Sequence, residues 1–147
     1  LRSVDRFNIV TFHQEVAFKY KIWQPLNEET KNSTRTYLMR KRAHGIGDLN
    51  NALRSLFSMQ LDSSRRTVAI LITDAKDELT KEMDEKLSKF ALDNAGKVEV
   101  FVCGIGPTVN RSLLERIAVD NGGQCVVTEV FESNAFEEIL GRIKKEH

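Results

Sequence analysis

Val68-Ala-Ile-Leu-Ile72-Thr-Asp74 is the stretch of sequence that decides the fold of this chain. An unbroken apolar run rich in β-branched residues is typical of a strand that is buried on both faces of a parallel sheet. Val98-Glu-Val-Phe-Val-Cys103 has the same character, and Gly104 and Gly106 stop it. We therefore expect a parallel sheet whose ligand-binding loops lie beyond the carboxyl ends of these strands.

The chain around these strands has the periodicity of amphipathic helices. The clearest example runs from Asp48 to Met59, where apolar residues recur at i, i+3, i+4, i+7 and i+8. Further helical stripes cover Lys81–Asp93, the segment from Asn110 to the glycine end signal Asn121-Gly122-Gly123, and a last helix from Ser133 or Asn134, while Gln124–Val130 is strand-like. Strict alternation from residue 48 onward builds a parallel sheet covered by helices on both faces. The predicted fold class is α/β, a Rossmann-like three-layer sandwich in a single domain over residues 1–147.

Two short strands are predicted near the beginning of the chain. Phe7–Phe12 is rich in β-formers, and Val16–Trp23 alternates polar and apolar residues from Phe18 onward, as edge strands do. Only three residues separate the two runs, which is short enough for a hairpin. We therefore expect the mostly parallel sheet to carry one antiparallel edge strand.

A helix is expected after this hairpin. Pro25 breaks the second strand, because proline cannot donate to a ladder. Asn27 or Thr30 can then cap a helix that runs to about Arg42. The predicted apolar face of this helix consists of Tyr37, Leu38 and Met39.

Charge and length limit the classes of partner. The chain has 147 residues, which suits one domain, and its 22 basic and 21 acidic residues give a net charge of +1. This balance gives no electrostatic reason to expect nucleic acid, and no apolar run approaches the roughly 18 residues needed for membrane insertion. The short cluster Arg40-Lys41-Arg42 is interpreted as a solvated helix end rather than a phosphate-binding patch.

Three further features bear on the compartment without deciding it. The chain does not begin with Met, so we expect it to be part of a longer protein. Cys103 and Cys125 lie in apolar, strand-like runs, so buried free thiols are expected rather than a disulfide. Asn32-Ser-Thr34 and Asn110-Arg-Ser112 match the glycosylation sequon, which has meaning only in a secreted protein.

Asp74 is the first candidate for chemistry, because it directly follows a buried strand. At that edge of the sheet a carboxylate could coordinate a hard cation or act in catalysis, or it could simply cap the following turn. The glycine loop that leads into Asp48 opens a helix and is expected at the same edge. The predicted partner-binding rim consists of Gly47, Asp48, Asp74, Lys76 and Asp77.

No catalytic constellation accompanies Asp74 in the sequence. Gly104-Ile-Gly106 lacks the third glycine of a dinucleotide-binding loop, since position 109 is Val. The phosphate-loop, nucleophile-elbow and zinc-protease patterns are also missing from the sequence, and the three histidines lie in separate segments. Nothing in the sequence assembles a nucleophile, a base and an orienting group, so we expect neither an enzyme nor a cofactor.

The ordered set of segments resembles the von Willebrand factor type A domain family. Asp5-Arg-Phe-Asn-Ile-Val-Thr-Phe12 is similar to the family's second strand, and Gly45-Ile-Gly-Asp-Leu-Asn-Asn-Ala-Leu53 to its G-G-T segment. Ile70-Leu-Ile-Thr-Asp-Ala75 is similar to the T-D-G segment, Val100–Gly106 to the fifth strand, and Leu114–Ala118 with Gly122-Gly123 to the L-x-x-I-A…G-G segment. The resemblance covers essentially the whole chain and implies a Rossmann-like protein-binding domain.

One departure from the family concerns the sheet. Family members begin with a central strand that ends in D-x-S-x-S and with a long helix, and nothing in this sequence resembles either. That strand normally lies between the strands that correspond to residues 7–12 and 68–72. We therefore expect a domain without its first strand and helix, whose sheet shows a gap, a foreign strand or an unusual direct pairing at this place.

The second departure concerns the metal. The family's metal-ion-dependent adhesion site takes three ligands from D-x-S-x-S, one from the threonine of G-G-T and one from the aspartate of T-D-G. Gly47 stands in place of the threonine, Asp74 matches the aspartate, and Ala75 replaces the following glycine. The resemblance therefore implies a degenerate or absent metal site, which would bind Mg²⁺ weakly at most, through Asp74 and, more weakly, Asp48.

Three functions follow from this reading. The first is a protein-interaction module whose partner is another protein or another domain of the parent chain. The second is a structural domain that packs inside a larger assembly. The third and least favoured is a receiver-like or small Rossmann-like enzyme that uses Asp74; a receiver needs a lysine after a later strand, whereas Gly-Ile-Gly follows Cys103 here.

Overall fold

The computed structural model describes residues 2, 4–42, 47–130 and 133–145 of the chain. By its internal contacts the chain divides into two units, Leu1–Ser55 and Leu56–His147. Gly45, in the predicted glycine loop, lies outside the described residues. The single domain expected over residues 1–147 stays a prediction.

The strands of the first unit form two antiparallel pairs. Strand β1 (Arg6–Phe7) pairs with β4 (Gln24–Pro25), and β2 (Val10–Phe12) pairs with β3 (Val16–Phe18). The hairpin between β2 and β3 confirms the predicted antiparallel connection. Pro25, which was expected to break the strand, is the last residue of β4 and lies opposite Arg6. Proline is tolerated there because β4 lies at the edge of a two-stranded ladder.

The side chain of Asn8 explains why the predicted strands are interrupted. Its carboxamide oxygen accepts hydrogen bonds from the backbone N–H of Ile9 at 2.8 Å and of Tyr20 at 3.2 Å. Its amide nitrogen donates to the carbonyl oxygen of Tyr20 at 3.0 Å. These bonds replace the regular backbone ladder, so the uninterrupted strands expected at 7–12 and 16–23 are wrong in their extent.

Helix α1 (Glu28–Arg40) begins at the predicted cap. Asn27 and Thr30 form a reciprocal capping box, in which each side chain accepts a hydrogen bond from the other's backbone N–H. The predicted inward face is wrong at two of its three positions, because Leu38 is 44% exposed and Met39 is 80% exposed, whereas Tyr37 is half-buried.

A hydroxyl contact decides which face of α1 is buried. The phenol oxygen of Tyr20 lies 3.0 Å from the hydroxyl oxygen of Thr34, the buried residue of this helix, and it donates to the carbonyl of Thr30 at 3.3 Å. Residues 30, 34 and 37 therefore line the inner face, and positions 38 and 39 turn outward.

Helix α2 (Leu49–Phe57) follows the glycine loop. Its residues Leu49, Ala52 and Leu53 are buried, as the stripe in the sequence predicts. The carboxylate of Asp48 accepts a hydrogen bond from the backbone N–H of Asn51 at 2.9 Å, which makes Asp48 the cap of this helix.

A parallel three-stranded sheet forms the centre of the second unit. Strands β5 (Thr67–Thr73), β6 (Val98–Ile105) and β7 (Cys125–Thr128) lie in the order β5-β6-β7. Strand β6 is buried on both faces, but β5 is not, since Ile72 is 44% exposed. In the described residues β5 pairs with β6 alone, so it is an edge strand, and this position leaves it partly open. The gap, foreign strand or direct pairing expected between this strand and residues 7–12 stays a prediction.

Helices cover both faces of this sheet. The helices of the second unit are α3 (Lys81–Asn94), α4 (Arg111–Asp120) and α5 (Ser133–Lys145). Phe101 and Cys103 pack with Ile139 of α5, whereas Leu114 of α4 lies against Gly104 on the opposite face. The predicted α/β Rossmann-like fold class is confirmed. Phe136, a predicted inward residue of α5, has its side chain outside the described part of the chain.

The turn after α4 has the geometry that its sequence predicts. Gly122 has φ of +75°, a left-handed conformation that favours glycine. Gly123 donates to the carbonyl of Ala118 at 2.9 Å, and Gly122 to that of Val119 at 3.2 Å. This double closure satisfies the last carbonyls of the helix, so the predicted glycine end signal is confirmed.

Candidate functional site

Asp74 lies directly after β5 and its side chain is exposed. The hydroxyl oxygen of Thr73 accepts a hydrogen bond from the N–H of Ala75 at 3.2 Å, so Thr73 rather than Asp74 caps the turn. Within the described ranges the carboxylate of Asp74 has no hydrogen bond and no ion pair. Its charge is therefore available to a ligand or a partner.

Asn110 holds the loop that carries Asp74. Its backbone N–H donates to the carbonyl of Ala75 at 3.1 Å, and its side-chain amide donates to the carbonyl of Asp77 at 2.9 Å. Its carboxamide oxygen accepts from the N–H of Leu113 at 3.2 Å, which caps α4 as predicted. The sequence predicts the cap alone, because nothing local shows that the same side chain reaches a loop 33 residues away.

The anchored loop presents two kinds of side chain. Lys76 is exposed, and Asp77, whose carbonyl is bound by Asn110, is half-buried. The loop therefore offers the carboxylate of Asp74 and the ammonium group of Lys76 to solvent from a backbone that is fixed at both Ala75 and Asp77. A surface that presents a negative and a positive group from an anchored backbone suits recognition of a polar partner.

Gly47 and Asp48 belong to the first unit, whereas Asp74, Lys76 and Asp77 belong to the second. Both residues of the first unit are exposed. Asp48 donates its backbone N–H to the carbonyl of His13 at 2.7 Å, and one of its carboxylate oxygens is engaged by the cap of α2. A common rim formed by all five residues stays a prediction.

The weak or absent metal site expected at Asp74, with Asp48 as a second candidate, stays a prediction. Gly47 has no side-chain oxygen, Asp74 supplies one carboxylate, and Asp48 uses an oxygen to cap a helix. Magnesium takes a nearly octahedral shell of oxygen ligands. Among the residues with described positions, no group of three histidine, cysteine, aspartate or glutamate side chains is placed to hold a metal ion.

The two cysteines are free thiols, as predicted. Cys103 is fully buried, and burial raises its pKa. Burial, reinforced by the negative charge of Glu115, raises the pKa of Cys125 to about 11. Both thiols are therefore protonated at neutral pH, and a thiol in this form is a poor nucleophile.

The helices of the described chain include none with the length and apolar character that crossing a bilayer requires.

Comparison with known sequences identifies the family. Residues 1–127 match the family model described as "von Willebrand factor type A domain". The chain is 33% identical over 134 residues to "Inter alpha-trypsin inhibitor, heavy chain 4" of Mus musculus, an alignment that covers 84% of this chain. It is 27% identical over 130 residues to "Inter-alpha-trypsin inhibitor heavy chain H4" of Homo sapiens, covering 81% of this chain. In both cases the chain spans only 14% of the relative's length.

Solved structures agree with this assignment at the level of the fold. A "von Willebrand factor type A" structure from Catenulispora acidiphila superposes with a TM-score of 0.77 at 19% identity, covering 95% of this chain and 33% of that one. The conserved hypothetical protein BatB from Bacteroides thetaiotaomicron superposes with a TM-score of 0.72 at 16% identity, covering 99% of this chain and 80% of that one. At such identities the likeness shows the fold alone.

Proposed function

Because the chain belongs to the von Willebrand factor type A domain family, whose members mediate protein interactions, we propose that it is a protein-interaction module and not an enzyme. The observation that carries the proposal is the exposed carboxylate of Asp74, which has no hydrogen bond or ion pair among the described residues and lies on a loop that Asn110 fixes. A fixed charged group at the carboxyl end of a parallel strand lies where α/β proteins bind their ligands.

We propose that the contact does not depend on a metal. A metal ion that bridges a carboxylate of the domain and an acid of the partner needs several further protein ligands. Gly47 has no side-chain oxygen to contribute. In the metal-independent case Asp74 and Lys76 pair directly with a cation and an anion of the partner. Asp48 and Gly47 complete the same rim in this proposal, as the family resemblance implies.

The names of the relatives suggest the kind of partner. Both are heavy chains of an inhibitor, a term that describes one chain of a larger protein. By analogy, the partner of this domain would be another chain or another domain of its own parent protein.

A site-specific cross-linking experiment tests the rim. A photo-reactive amino acid is placed at position 76, and at the matched control Val119, which lies on α4 and is 67% exposed. In the full-length protein under native conditions, we expect cross-links from position 76, unchanged by EDTA, and none from position 119. Loss of the cross-links in EDTA would contradict metal independence.

The second candidate is a structural domain whose rim contacts nothing. It is favoured by the same experiment if position 76 gives no cross-link while the parent protein stays assembled. Calorimetric titration with magnesium separates the metal question, with Asp74→Asn as the matched variant. We expect neither the wild type nor the variant to bind magnesium with a dissociation constant below about 1 mM.

A further inference from the structure

The first unit contains a groove that the proposed interaction site does not use. The groove is a shallow, open depression that extends over about 630 Å³. It is lined by Lys19, Asn32, Ser33, Thr36, Tyr37, Arg40 and Lys41. Three of these seven side chains are cations and none is an acid, so the groove concentrates positive charge.

The ammonium group of Lys19 is held in place on the wall of the groove. It donates a hydrogen bond to the hydroxyl oxygen of Ser33 at 2.9 Å. It also lies 4.4 Å from the centre of the Tyr20 ring and 5.1 Å from that of the Tyr37 ring. Hydrogen bonding and two aromatic faces fix a long side chain that would otherwise be mobile.

A second ammonium group lies over the same tyrosine. The Nζ atom of Lys41 is 4.7 Å from the centre of the Tyr37 ring. The hydrogen bond with Thr11 lowers the pKa of Tyr37; burial opposes this effect, and the charges of Lys41 and Lys19 lower the pKa further.

The cations of the groove lack the acidic partners that other cations of the chain have. Lys31 of α1 pairs with Glu28 at 2.9 Å, and Arg116 of α4 pairs with Asp120 at 3.1 Å. Within the part of the chain that the structure describes, Lys19, Arg40 and Lys41 form no ion pair. Three cations that converge without an acid resemble the arrangement by which proteins hold phosphate and sulfate groups.

We propose that this groove binds a tetrahedral oxyanion, phosphate or sulfate, between Lys19, Arg40 and Lys41. Arg40 supplies a planar fork of N–H donors, and the two lysines supply point charges. The hydroxyl of Thr36 and the amide of Asn32 are further donors on the groove wall. Arg40 and Lys41 belong to the basic cluster that was interpreted from the sequence as a solvated helix end. In this proposal they bind an anion together with Lys19, which directly follows β3.

The site is tested by titrating inorganic phosphate, and separately inorganic sulfate, into the ¹⁵N-labelled chain. Each titration is followed by NMR at constant ionic strength, with sodium chloride as the balancing salt. We expect saturable shifts of the backbone amides of Ser33, Thr36 and Lys41. Shifts that sodium chloride reproduces at the same ionic strength would overturn the proposal.

A pair of double variants separates a built site from general charge. Arg40→Gln with Lys41→Gln removes two groove cations, and Lys31→Gln with Arg35→Gln removes two exposed cations from the same helix outside the groove. We expect the groove variant to weaken phosphate binding by about a hundredfold, since it removes two charged hydrogen bonds that are each worth about a factor of ten. We expect the control to bind within about twofold of wild type. Equal losses in the two variants would show nonspecific attraction and overturn the proposal.

The anion that binds more tightly identifies the chemical group of the ligand that the groove prefers. Tighter binding of phosphate than of sulfate indicates a phosphate-bearing ligand, and the reverse indicates a sulfate-bearing one. These tests use residues other than Asp74, so their failure leaves the proposed interaction module untouched. The circular dichroism spectrum and the unfolding midpoint of each variant confirm that α1 remains folded.

Discussion

Replacing Gly123 with alanine tests how closely the chain before β7 approaches β6. A Cβ atom at position 123 would lie 1.9 Å from the carbonyl oxygen of Val100 and 2.5 Å from its carbonyl carbon. Both atoms belong to the backbone of a buried strand, so no side-chain rotation relieves the overlap. An ordinary contact begins at 3.4 Å, so the segment must move away by about 1.5 Å.

Such a movement breaks the backbone hydrogen bonds that tie this segment to β6. Val100 donates to the carbonyl of Asn121 at 3.1 Å, and Val102 donates to that of Gln124 at 2.9 Å. Each buried amide left without an acceptor costs about 1–3 kcal/mol, so we expect Gly123→Ala to lower the free energy of unfolding by about 2–6 kcal/mol. Small domains have about 5–15 kcal/mol in total, so the loss is a large fraction of the stability.

Urea denaturation followed by circular dichroism measures this change, with Gly141→Ala as the matched control. Gly141 lies within α5, and an added Cβ there meets nothing within 4 Å. Alanine is a better helix former than glycine, so we expect the control to gain about 0.5–1 kcal/mol. A Gly123→Ala variant within about 0.5 kcal/mol of wild type, the range of ordinary surface substitutions, would refute the reasoning.

Three further predictions concern the second unit. Asn94→Ala removes the side chain that bonds to both backbone groups of Val98, at 2.8 and 2.9 Å, and to Asn121, so we expect it to lower the free energy of unfolding in urea by about 2–4 kcal/mol. Asn110→Asp keeps the oxygen that caps α4 but replaces the amide that holds Asp77 with a second acceptor. We expect it to lower the free energy of unfolding by about 1–3 kcal/mol and to speed hydrogen exchange at residues 75–78; unchanged exchange would contradict the anchoring role. Cys125, with its pKa raised to about 11 from 9.0, should react with iodoacetamide at pH 8 far more slowly in the folded than in the unfolded chain, as mass spectrometry of the labelled peptide can measure. The unfolded chain loses this proton at lower pH than the folded one, so the stability that the thiol contributes is complete below pH 9 and is lost as the pH rises towards 11.

The parts of the fold that depend on local signals could be predicted from the sequence. Strand β6 is an unbroken apolar run, and its burial follows from that run. The end of α4 is predictable because Gly122 and Gly123 follow the last turn, and a left-handed residue there closes the final hydrogen bonds.

The first unit shows where local patterns lose their predictive value. Asn8 interrupts two strands by binding the backbone of Tyr20, a residue far from it in sequence. The orientation of α1 is decided by a hydroxyl of Thr34 rather than by an apolar stripe, since Tyr20 supplies the partner. Neither interaction leaves a periodic trace in the sequence.

The candidate sites divide in the same way. Asp74 could be identified from its position after an apolar run, because the end of a parallel strand has a known place in the fold. The role of Asn110 in holding Asp77 could not, since it depends on two loops that only the folded chain brings together. Lys19 likewise joins Arg40 and Lys41 at one groove across the fold of the first unit.

The double attachment of Asn110 has a consequence for how a partner would bind. One side chain starts α4, whose Leu113 and Leu114 are fully buried, and also holds the loop that carries Asp74. The loop is thereby connected to the rigid interior, and little conformational freedom remains to be lost when a partner docks on it. Association with this surface should then be governed by diffusion and orientation rather than by loop rearrangement, and weakening of the anchor should slow association and reduce affinity together.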